Sequence, residues 1–219
     1  MTNKSKVESL ILRLWVESRF LRYFFRAILA VFFLRFAAEA LLIFLETKSI
    51  NHLLLVVSEL ISVGLLVLAT DSLNVRMTFL AILSTVCGTF YYLLFDFFRY
   101  PTVGVISSGS GVLLQVTGIL LQIYSKLSLG KSFGLLPANR GVVDRGAYRF
   151  IRHPIYASYM VGHIGFILSF FSFWNLAILF FAYIFQFIRI KEEETILNED
   201  ENYLNYSKRV RWRILPLVF

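Results

Sequence analysis

The chain has 219 residues, of which 58% are hydrophobic and 17% are aromatic, and its formal net charge is +8. A soluble domain of this size is nearer half apolar, and the apolar residues recur in long blocks along the whole chain, which excludes a soluble domain and a lone signal peptide. The basic residues cluster in the N-terminal segment, in residues 126–153 and in the C-terminal tail. No nucleic-acid-binding motif accompanies them, so the charge indicates membrane topology and not a nucleic-acid partner.

The N-terminal part of the chain predicts a surface segment followed by a first membrane span. Residues 1–23 alternate basic and apolar positions at helical spacing, which is typical of an amphipathic segment on the cytosolic membrane surface. A span is expected at about 24–45, where Arg35 and Glu39 are four residues apart and can pair on one helical face. Because ionisable side chains at membrane depth usually face the bundle, we expect an internal ion pair that stabilises packing, with a functional role as the alternative.

Three further spans are expected at about 50–70, 77–98 and 104–126. The last of these carries Gln115 and Gln122 on one helical face, two turns apart. Amide side chains inside a membrane form hydrogen bonds between helices. We favour that role for both glutamines over a role in a ligand site. The single cysteine, Cys87, lies within a span and permits no intramolecular disulfide and no cysteine-based zinc site, and we predict no metal.

The longest polar interruption, residues 126–153, is basic and rich in glycine, and a helical hairpin is predicted after it. Its two helices are expected at 155–175 and 176–190, with the sequence SFFSFWN at the turn. Because basic loops stay in the cytoplasm, four spans and a hairpin leave both the 126–153 segment and the tail on the cytoplasmic side. The predicted fold class is therefore all-α, a polytopic membrane helical bundle of about six spans with a cytosolic amphipathic tail.

The sequence RFIRHPIYASYM, residues 149–160, places a polar cluster at the start of the hairpin. Proline suits the first helical turn, which makes His153 the predicted N-cap residue before Pro154. A helix start attracts an anionic group, and Arg152 adds a fixed positive charge beside it. Tyr156 can supply an amphipathic wall with a polar tip.

A second polar cluster, Glu192 to Glu194, ends the partner helix, where the helix dipole favours cations and not acids. If the hairpin closes, Glu193 and Glu194 lie at the depth of Arg152 and His153. The combination matches a ligand with a carboxylate, a positive centre and a planar ring. The alternative interpretation is an interfacial salt bridge that closes the hairpin, because buried charges normally find partners.

The ordered set GAYRFIRHPIY, EEETIL and YLNYSKRV resembles the isoprenylcysteine carboxyl methyltransferase family, whose relatives include the phospholipid N-methyltransferases. The segment LSLGKSF, residues 127–133, resembles the stretch that precedes this core. The resemblance implies a helical membrane enzyme that uses S-adenosylmethionine without a Rossmann domain. It implies that residues 127–219 form the catalytic core, after the surface segment 1–23 and the scaffold helices 24–126.

The resemblance also implies the site residues. Those implied to bind the cofactor are His153, Pro154, Tyr156, Tyr148, Glu193, Glu194 and Tyr206. Those implied to be catalytic are Arg189, Glu193 and Arg152, with Arg209 as a further candidate for the acceptor site. A carboxylate acceptor is already ionised and needs a cationic clamp, which Arg189 or Arg152 can supply. An amine acceptor must lose a proton, and the candidate bases are Glu193 and Glu194.

We therefore expect an integral membrane methyltransferase that uses S-adenosylmethionine to methylate the carboxyl group of a lipophilic, prenylcysteine-like acceptor from the bilayer. The alternatives are a phospholipid or lipid amine N-methyltransferase, an NADPH-dependent sterol-type reductase and a non-catalytic membrane binding module, because a fold does not determine a function. The expected location is the inner membrane of a bacterium or the endoplasmic reticulum of a eukaryote, with the active site facing the cytoplasm.

Overall fold

The computed structural model describes residues 12–15, 17–72, 74–95 and 108–216. The helices are α1 Arg19–Thr47, α2 Ile50–Leu68, α3 Phe79–Phe90, α4 Ser108–Leu129, α5 Pro154–Ser169, α6 Phe173–Leu197 and α7 Glu201–Arg209. Short 3₁₀ turns lie at Tyr91–Leu94, Gly130–Ser132 and Gly146–Arg149. Within the described ranges, Val75 and Ala138 form an isolated β-bridge, and no extended strand is assigned. The predicted all-α class is confirmed.

Four of the described helices are long and apolar enough to cross a membrane: α1, α2, α4 with its 3₁₀ extension, and α6. Helix α3 and its 3₁₀ turn form a shorter apolar helix, and α5 has 16 residues. These helices occupy the predicted apolar segments, which confirms a multi-pass membrane bundle. The predicted turn of the hairpin also forms, because Ser172 caps α6 by accepting a hydrogen bond from the N–H of Asn175.

Helix α1 begins earlier than the predicted span at 24–45. It begins at Arg19 because the hydroxyl of Ser18 accepts a hydrogen bond from the N–H of Leu21, which satisfies one of the free donors of the first turn. It ends at Thr47, and the next residue, Lys48, has a φ of 55°, in the left-handed region typical of a helix end. The end of the predicted surface segment therefore belongs to the membrane helix. Residues 1–11 and 16 of that segment lie outside the described residues.

Contacts between helix termini define two ends of the bundle. At one end α1 begins and α2 and α4 end: Arg26 forms an ion pair with Asp71 at 2.6 Å, and the N–H of Thr70 donates to the carbonyl of Lys131 at 2.9 Å. We call this the loop end, because the loop that follows α4 lies there. The far end carries the turn between α1 and α2 and the turn between α5 and α6.

Glycines let α4 and α5 approach closely. A Cβ atom on Gly118 would lie 2.5 Å from the backbone nitrogen of Gly162, and one on Gly165 would lie 2.6 Å from the carbonyl oxygen of Gly111. Small residues serve this purpose between membrane helices, where close van der Waals contact drives association. The close contact holds the short helix α5, and with it the polar segment that precedes α5, against the long helix α4.

The ion pair between Arg35 and Glu39 forms at 3.1 Å, as expected from their spacing. Its expected position inside the bundle is wrong, because the two side chains are 79% and 53% exposed. Helix α1 turns its opposite face to the bundle, where Leu29 contacts Leu65 and Leu66 of α2. The packing of that apolar face leaves the charged pair on the outer surface.

Candidate functional site

The start of α5 and the end of α6 meet at the loop end. His153 precedes Pro154 at the helix start, as predicted, but its ring does not cap its own helix. The ring Nε2 lies 3.2 Å from Oε1 of Glu194, and Nδ1 lies 3.6 Å from Oε2 of Glu193. The predicted proximity of the two polar clusters is therefore confirmed.

Glu194 holds the two helices and the tail together. Its carboxylate forms ion pairs with Arg152 at 2.8 Å and with Arg213 at 2.6 Å, and the hydroxyl of Tyr203 lies 3.4 Å away. The residue is 5% exposed, so a buried charge is compensated from several sides. Sequence reasoning missed Arg213, although the run of basic residues in SKRVRWR was a signal that the tail had an acidic partner.

The tail also pairs with the polar segment through the backbone. The N–H of Arg152 donates to the carbonyl of Trp212 at 2.9 Å, and the N–H of His153 donates to the carbonyl of Arg213 at 2.8 Å. Both donors precede α5 and have no partner within that helix. The C-terminal segment therefore covers the start of the hairpin.

Glu193 and Arg189, one turn apart on α6, form the second half of the cluster. The hydroxyl of Tyr156 donates to Oε1 of Glu193 at 2.7 Å, and Nε of Arg189 lies 3.2 Å from the same oxygen. A second nitrogen of Arg189 donates to the carbonyl of Leu135 at 2.6 Å, and the guanidinium lies 5.7 Å from the ring centre of Tyr156. Arg189 is 6% exposed, so a cation is held rigidly at the loop end of the bundle.

Two tyrosines close the site from the tail side. The hydroxyl of Tyr206 on α7 donates to the carbonyl of Tyr148 at 2.7 Å. Helix α7 is oriented for this contact by Asp200, which accepts a hydrogen bond from the N–H of Asn202. Burial raises the pKa of both phenols above the ordinary tyrosine value. Both rings are therefore neutral at physiological pH and can act as hydrogen-bonding walls.

A cavity of about 840 Å³ joins most of the predicted site residues. Its lining includes Tyr148, Arg152, His153, Tyr156, Arg189, Glu193 and Tyr206. Two predicted cofactor-binding residues, Pro154 and Glu194, are not among the lining residues, because Glu194 turns toward Arg213 and the tail. Arg209 also lies elsewhere, in an exposed ion pair with Asp144.

Arg140 is a further cation of the cavity that sequence reasoning missed. Its guanidinium packs over Gly134, where a Cβ atom would lie 2.5 Å from it, and it donates to the carbonyl of Leu136 at 3.3 Å. Burial, with the nearby charge of Arg26, lowers the pKa of Arg140 to about 10, which still leaves it charged at neutral pH. The Nε atoms of Arg140 and Arg152 are buried and have no hydrogen-bond partner in the described part of the chain.

A buried ion pair lies in the cavity wall at membrane depth. Nζ of Lys126 lies 3.5 Å from the carboxylate of Glu59 and 2.9 Å from the hydroxyl of Ser58. Sequence reasoning did not predict this pair, although Glu59, an acid within the second apolar span, was a signal for it. The two partners come from α2 and α4, so only the packing of these helices brings them together.

Gln115 and Gln122 both line the cavity. Gln115 joins three helices, because it accepts from Asn51 of α2 at 3.3 Å and donates to the hydroxyl of Ser169 of α5 at 3.1 Å. The preferred interpretation, a hydrogen bond between helices, is confirmed for Gln115. Its position in the cavity wall means that it also faces a space large enough for a ligand.

Comparison with known proteins finds a family that is similar to the part of the chain with these features. Residues 111–199 match the model of the isoprenylcysteine carboxyl methyltransferase (ICMT) family. No curated protein matches the chain. The matched range contains α4, the loop, α5 and α6, and thus both polar clusters. Together with the apolar helices, the match supports a membrane methyltransferase. Residues 111–199, a range shorter than half of the chain, are therefore similar to the isoprenylcysteine carboxyl methyltransferase family.

Proposed function

We propose that the protein transfers the methyl group of S-adenosylmethionine to a carboxyl group of a lipophilic acceptor. One observation carries the proposal: the charged cluster around Arg189 opens into the same cavity of about 840 Å³ as the apolar side chains of the membrane helices. Small-molecule pockets measure about 300–1,000 Å³. The cavity therefore has room for a polar donor at the loop end and for part of an apolar acceptor beside it.

The residues at the loop end fit the chemical groups of S-adenosylmethionine, which supplies an electrophilic methyl group when bound. The guanidinium groups of Arg140 and Arg152, which line the cavity, can bind its carboxylate. The carboxylate of Glu193 is suited to its positive groups. The neutral rings of Tyr148 and Tyr206 offer flat surfaces for its adenine ring.

Arg189 is the proposed clamp for the acceptor. A guanidinium has five N–H donors, and the contacts with Glu193 and Leu135 use only part of them. The remaining donors can orient an ionised carboxylate, which needs no general base. Methyl transfer is an in-line displacement, so holding the two reacting atoms in line supplies much of the rate.

The surroundings of Glu193 favour a carboxyl acceptor over an amine. A base for an amine must take up a proton. Oε1 of Glu193 already accepts a hydrogen bond from Tyr156 and is paired with Arg189. A carboxylate engaged by these two neighbours is less free to approach an amine, and it remains a good partner for a positive donor.

Binding of the methyl donor is tested first. The purified protein in detergent is heated with S-adenosylmethionine, with S-adenosylhomocysteine or with NADPH. A ligand at 100 times its Kd stabilises a protein by about 2.7 kcal/mol, and we expect both sulfur compounds to raise the Tm and NADPH to leave it unchanged. Stabilisation by NADPH alone contradicts the proposal and supports a reductase, and no response to any ligand supports a binding module.

The reaction is tested with radioactive S-adenosylmethionine and two acceptors, N-acetyl-S-farnesylcysteine and phosphatidylethanolamine. A carboxyl ester releases its methyl group in mild alkali, whereas a methylated amine does not. We expect alkali-labile label on the farnesylcysteine. In Arg189→Gln, kcat/KM should fall by about 10- to 100-fold, from the loss of one or more charged hydrogen bonds. Arg209→Gln, which removes the same charge outside the cavity, should stay within about twofold. Alkali-stable label on the phospholipid contradicts the proposal.

We also infer that the loop end faces the cytoplasm. The loop that follows α4 contains Lys131, Arg140, Arg145, Arg149 and Arg152. Loops rich in Lys and Arg stay on the cytoplasmic side. A cysteine introduced at the exposed Glu201 in a Cys87→Ser background should be protected from an impermeant maleimide in intact cells. Labelling without cell lysis contradicts this orientation.

A further inference from the structure

The cavity reaches the far end of the bundle, where it has a second polar region. Asn51 and His52, in the first turn of α2, line it there, together with Gln115 of α4 and Ser169 at the end of α5. The charged cluster at the loop end contains none of these residues. Methyl transfer itself therefore leaves the polar region at the far end without a role.

The hydrogen bonds determine which atom Asn51 presents to the cavity. The carbonyl oxygen of Gly165 can only accept, so the atom of Gln115 that faces it at 3.3 Å is the amide nitrogen. The amide oxygen of Gln115 then faces Asn51 and accepts from its Nδ2 at 3.3 Å. Oδ1 of Asn51, an acceptor, is left over. This orientation follows from the network.

Oδ1 of Asn51 is buried and has no hydrogen-bond partner among the described residues. Asn51 is 9% exposed, so its side chain is not free to turn to bulk water. Nδ1 of the neighbouring His52 is also buried without a partner. Buried polar atoms are normally paired with protein or with an ordered molecule. Both residues line the cavity, so these unpaired atoms indicate a place where a small turn of the Asn51 side chain would meet a polar group of a ligand.

The length of α5 measures the distance between the two polar regions. Arg189 contacts Tyr156 near the start of this helix, and Gln115, the partner of Asn51, contacts Gly165 and Ser169 near its end. These positions are 9 to 13 residues apart in the helix, which at about 1.5 Å per residue is about 14–20 Å. Between them the lining includes the apolar side chains of Leu55, Ile119 and Phe166. It also includes Gln122 and the ion pair of Glu59 with Lys126, whose charges compensate each other. A ligand that touches both regions must be long, apolar in its middle and polar at both ends.

We propose that Oδ1 of Asn51 binds a neutral hydrogen-bond donor, a hydroxyl or an amide N–H, at the distal end of the methyl acceptor. The acceptor is thus a long-chain amphiphile with its carboxyl group at Arg189 and a donor group at the opposite end. This inference rests on the proposed function, because it assigns the carboxyl group to the loop end. The far-end residues then select acceptors by length and by their terminal group.

The test compares fatty acids with and without a terminal hydroxyl group as methyl acceptors. Because the two polar regions are about 14–20 Å apart, chains of about 12 to 20 carbons bracket the required length. A neutral hydrogen bond changes binding by about fivefold, so the hydroxyl group should raise kcat/KM by about fivefold at the matching length. It should have no favourable effect on the shortest chains, which do not reach Asn51.

Two variants test whether the advantage of the hydroxy acid depends on Asn51. Asn51→Leu removes the acceptor atom and should abolish the advantage of the hydroxy acid. Thr117→Val removes a polar group from the exposed face of α4, outside the cavity, and should leave the advantage unchanged. Each variant is judged by the ratio of the two acids, which loss of folded protein does not change. If Asn51→Leu does not fold, Asn51→Ala replaces it.

The outcomes separate this inference from the proposed function. Equal kcat/KM for the two acids at every length overturns the inference and leaves carboxyl methylation intact. If no acid is methylated, the proposed function fails for these acceptors. The same pairs of acids are then compared by the increase in Tm of the unmodified protein, where equal increases overturn the inference.

Discussion

Neighbouring glutamates on α6 should respond differently to the same substitution. Glu193 lines the cavity, whereas Glu194 is not among its lining residues and faces Arg152, Arg213 and the tail. Changing either residue to glutamine preserves size and removes one negative charge. We expect Glu194→Gln to weaken the fold and Glu193→Gln to weaken binding of the methyl donor.

The cost of Glu194→Gln follows from its contacts. The carboxylate holds Arg152 at 2.8 Å and Arg213 at 2.6 Å, with Nε2 of His153 at 3.2 Å. Removing one partner of a buried ion pair costs about 3–5 kcal/mol. Arg213 is partly exposed, and glutamine retains some hydrogen bonds, so we expect a loss near the lower end, about 3 kcal/mol. In a protein of this size that lowers the Tm by about 6–12 °C.

Glu193→Gln removes the negative charge that faces the proposed donor site. Tyr156 can still donate to the amide oxygen of the new side chain, so the local fold is retained. A hydrogen bond to a charged group contributes about 1.5–3 kcal/mol. That range corresponds to an increase of about 10- to 100-fold in the Kd for S-adenosylmethionine. The Tm without ligand should fall by less than half the change seen in Glu194→Gln.

Both variants are assayed in the same detergent by thermal unfolding and by calorimetric titration with S-adenosylmethionine. The comparison is internal, because the two proteins differ only in which of two adjacent carboxylates is neutral. This division of roles between Glu193 and Glu194 is refuted if Glu194→Gln keeps the Tm of the parent protein. It is also refuted if Glu193→Gln binds the donor as tightly as the parent does.

Two further predictions concern the framework of the site. Gly118→Leu should prevent close contact of α4 and α5, because even a Cβ atom would lie 2.5 Å from the backbone of Gly162. Overpacking of this kind costs about 1–3 kcal/mol or more, and it should be seen as a lower Tm or as aggregation on size exclusion. Gly64→Leu is the control, because Gly64 has open space around it, and this variant should behave as the parent. Tyr206→Phe should lower the Tm by about 2–4 °C through loss of the hydrogen bond to Tyr148. Burial raises the pKa of the Tyr206 phenol, so its contribution to stability is complete below about pH 10 and is lost as the pH rises further. The fall in Tm above that pH should be smaller in Tyr206→Phe, and an identical fall in both proteins contradicts this assignment.

Much of the site could be predicted from the sequence, because a helix start and a hairpin turn are each indicated by a few neighbouring residues. Proline after His153 indicates a helix start, and the apolar stretches on either side of SFFSFWN indicate a hairpin. A hairpin whose first helix starts where its second ends must bring His153 near Glu193 and Glu194. The short distances from His153 to Glu193 and Glu194 in the structure confirm that prediction. The roles assigned to these residues in binding and catalysis stay predictions.

Other parts of the site depend on contacts between distant segments. The pairing of Arg213 with Glu194 requires the tail to fold back over the start of α5, and Arg140 reaches the cavity only because the loop packs Gly134 beneath it. The pair of Lys126 and Glu59 joins α2 and α4. No spacing within one segment indicates such partners.

The sequence by itself determined the membrane class, the order of the helices and the position of the hairpin, because hydrophobic length and helix-start signals are properties of single segments. Only the tertiary structure decided which face of each helix turns inward. Arg35 and Glu39 pair as their spacing predicts, yet they lie outside the bundle because α1 packs its opposite face on α2. The cavity, its unpaired arginine nitrogens and the far-end acceptor at Asn51 likewise exist only between helices, since each is built from side chains that the chain brings together by packing.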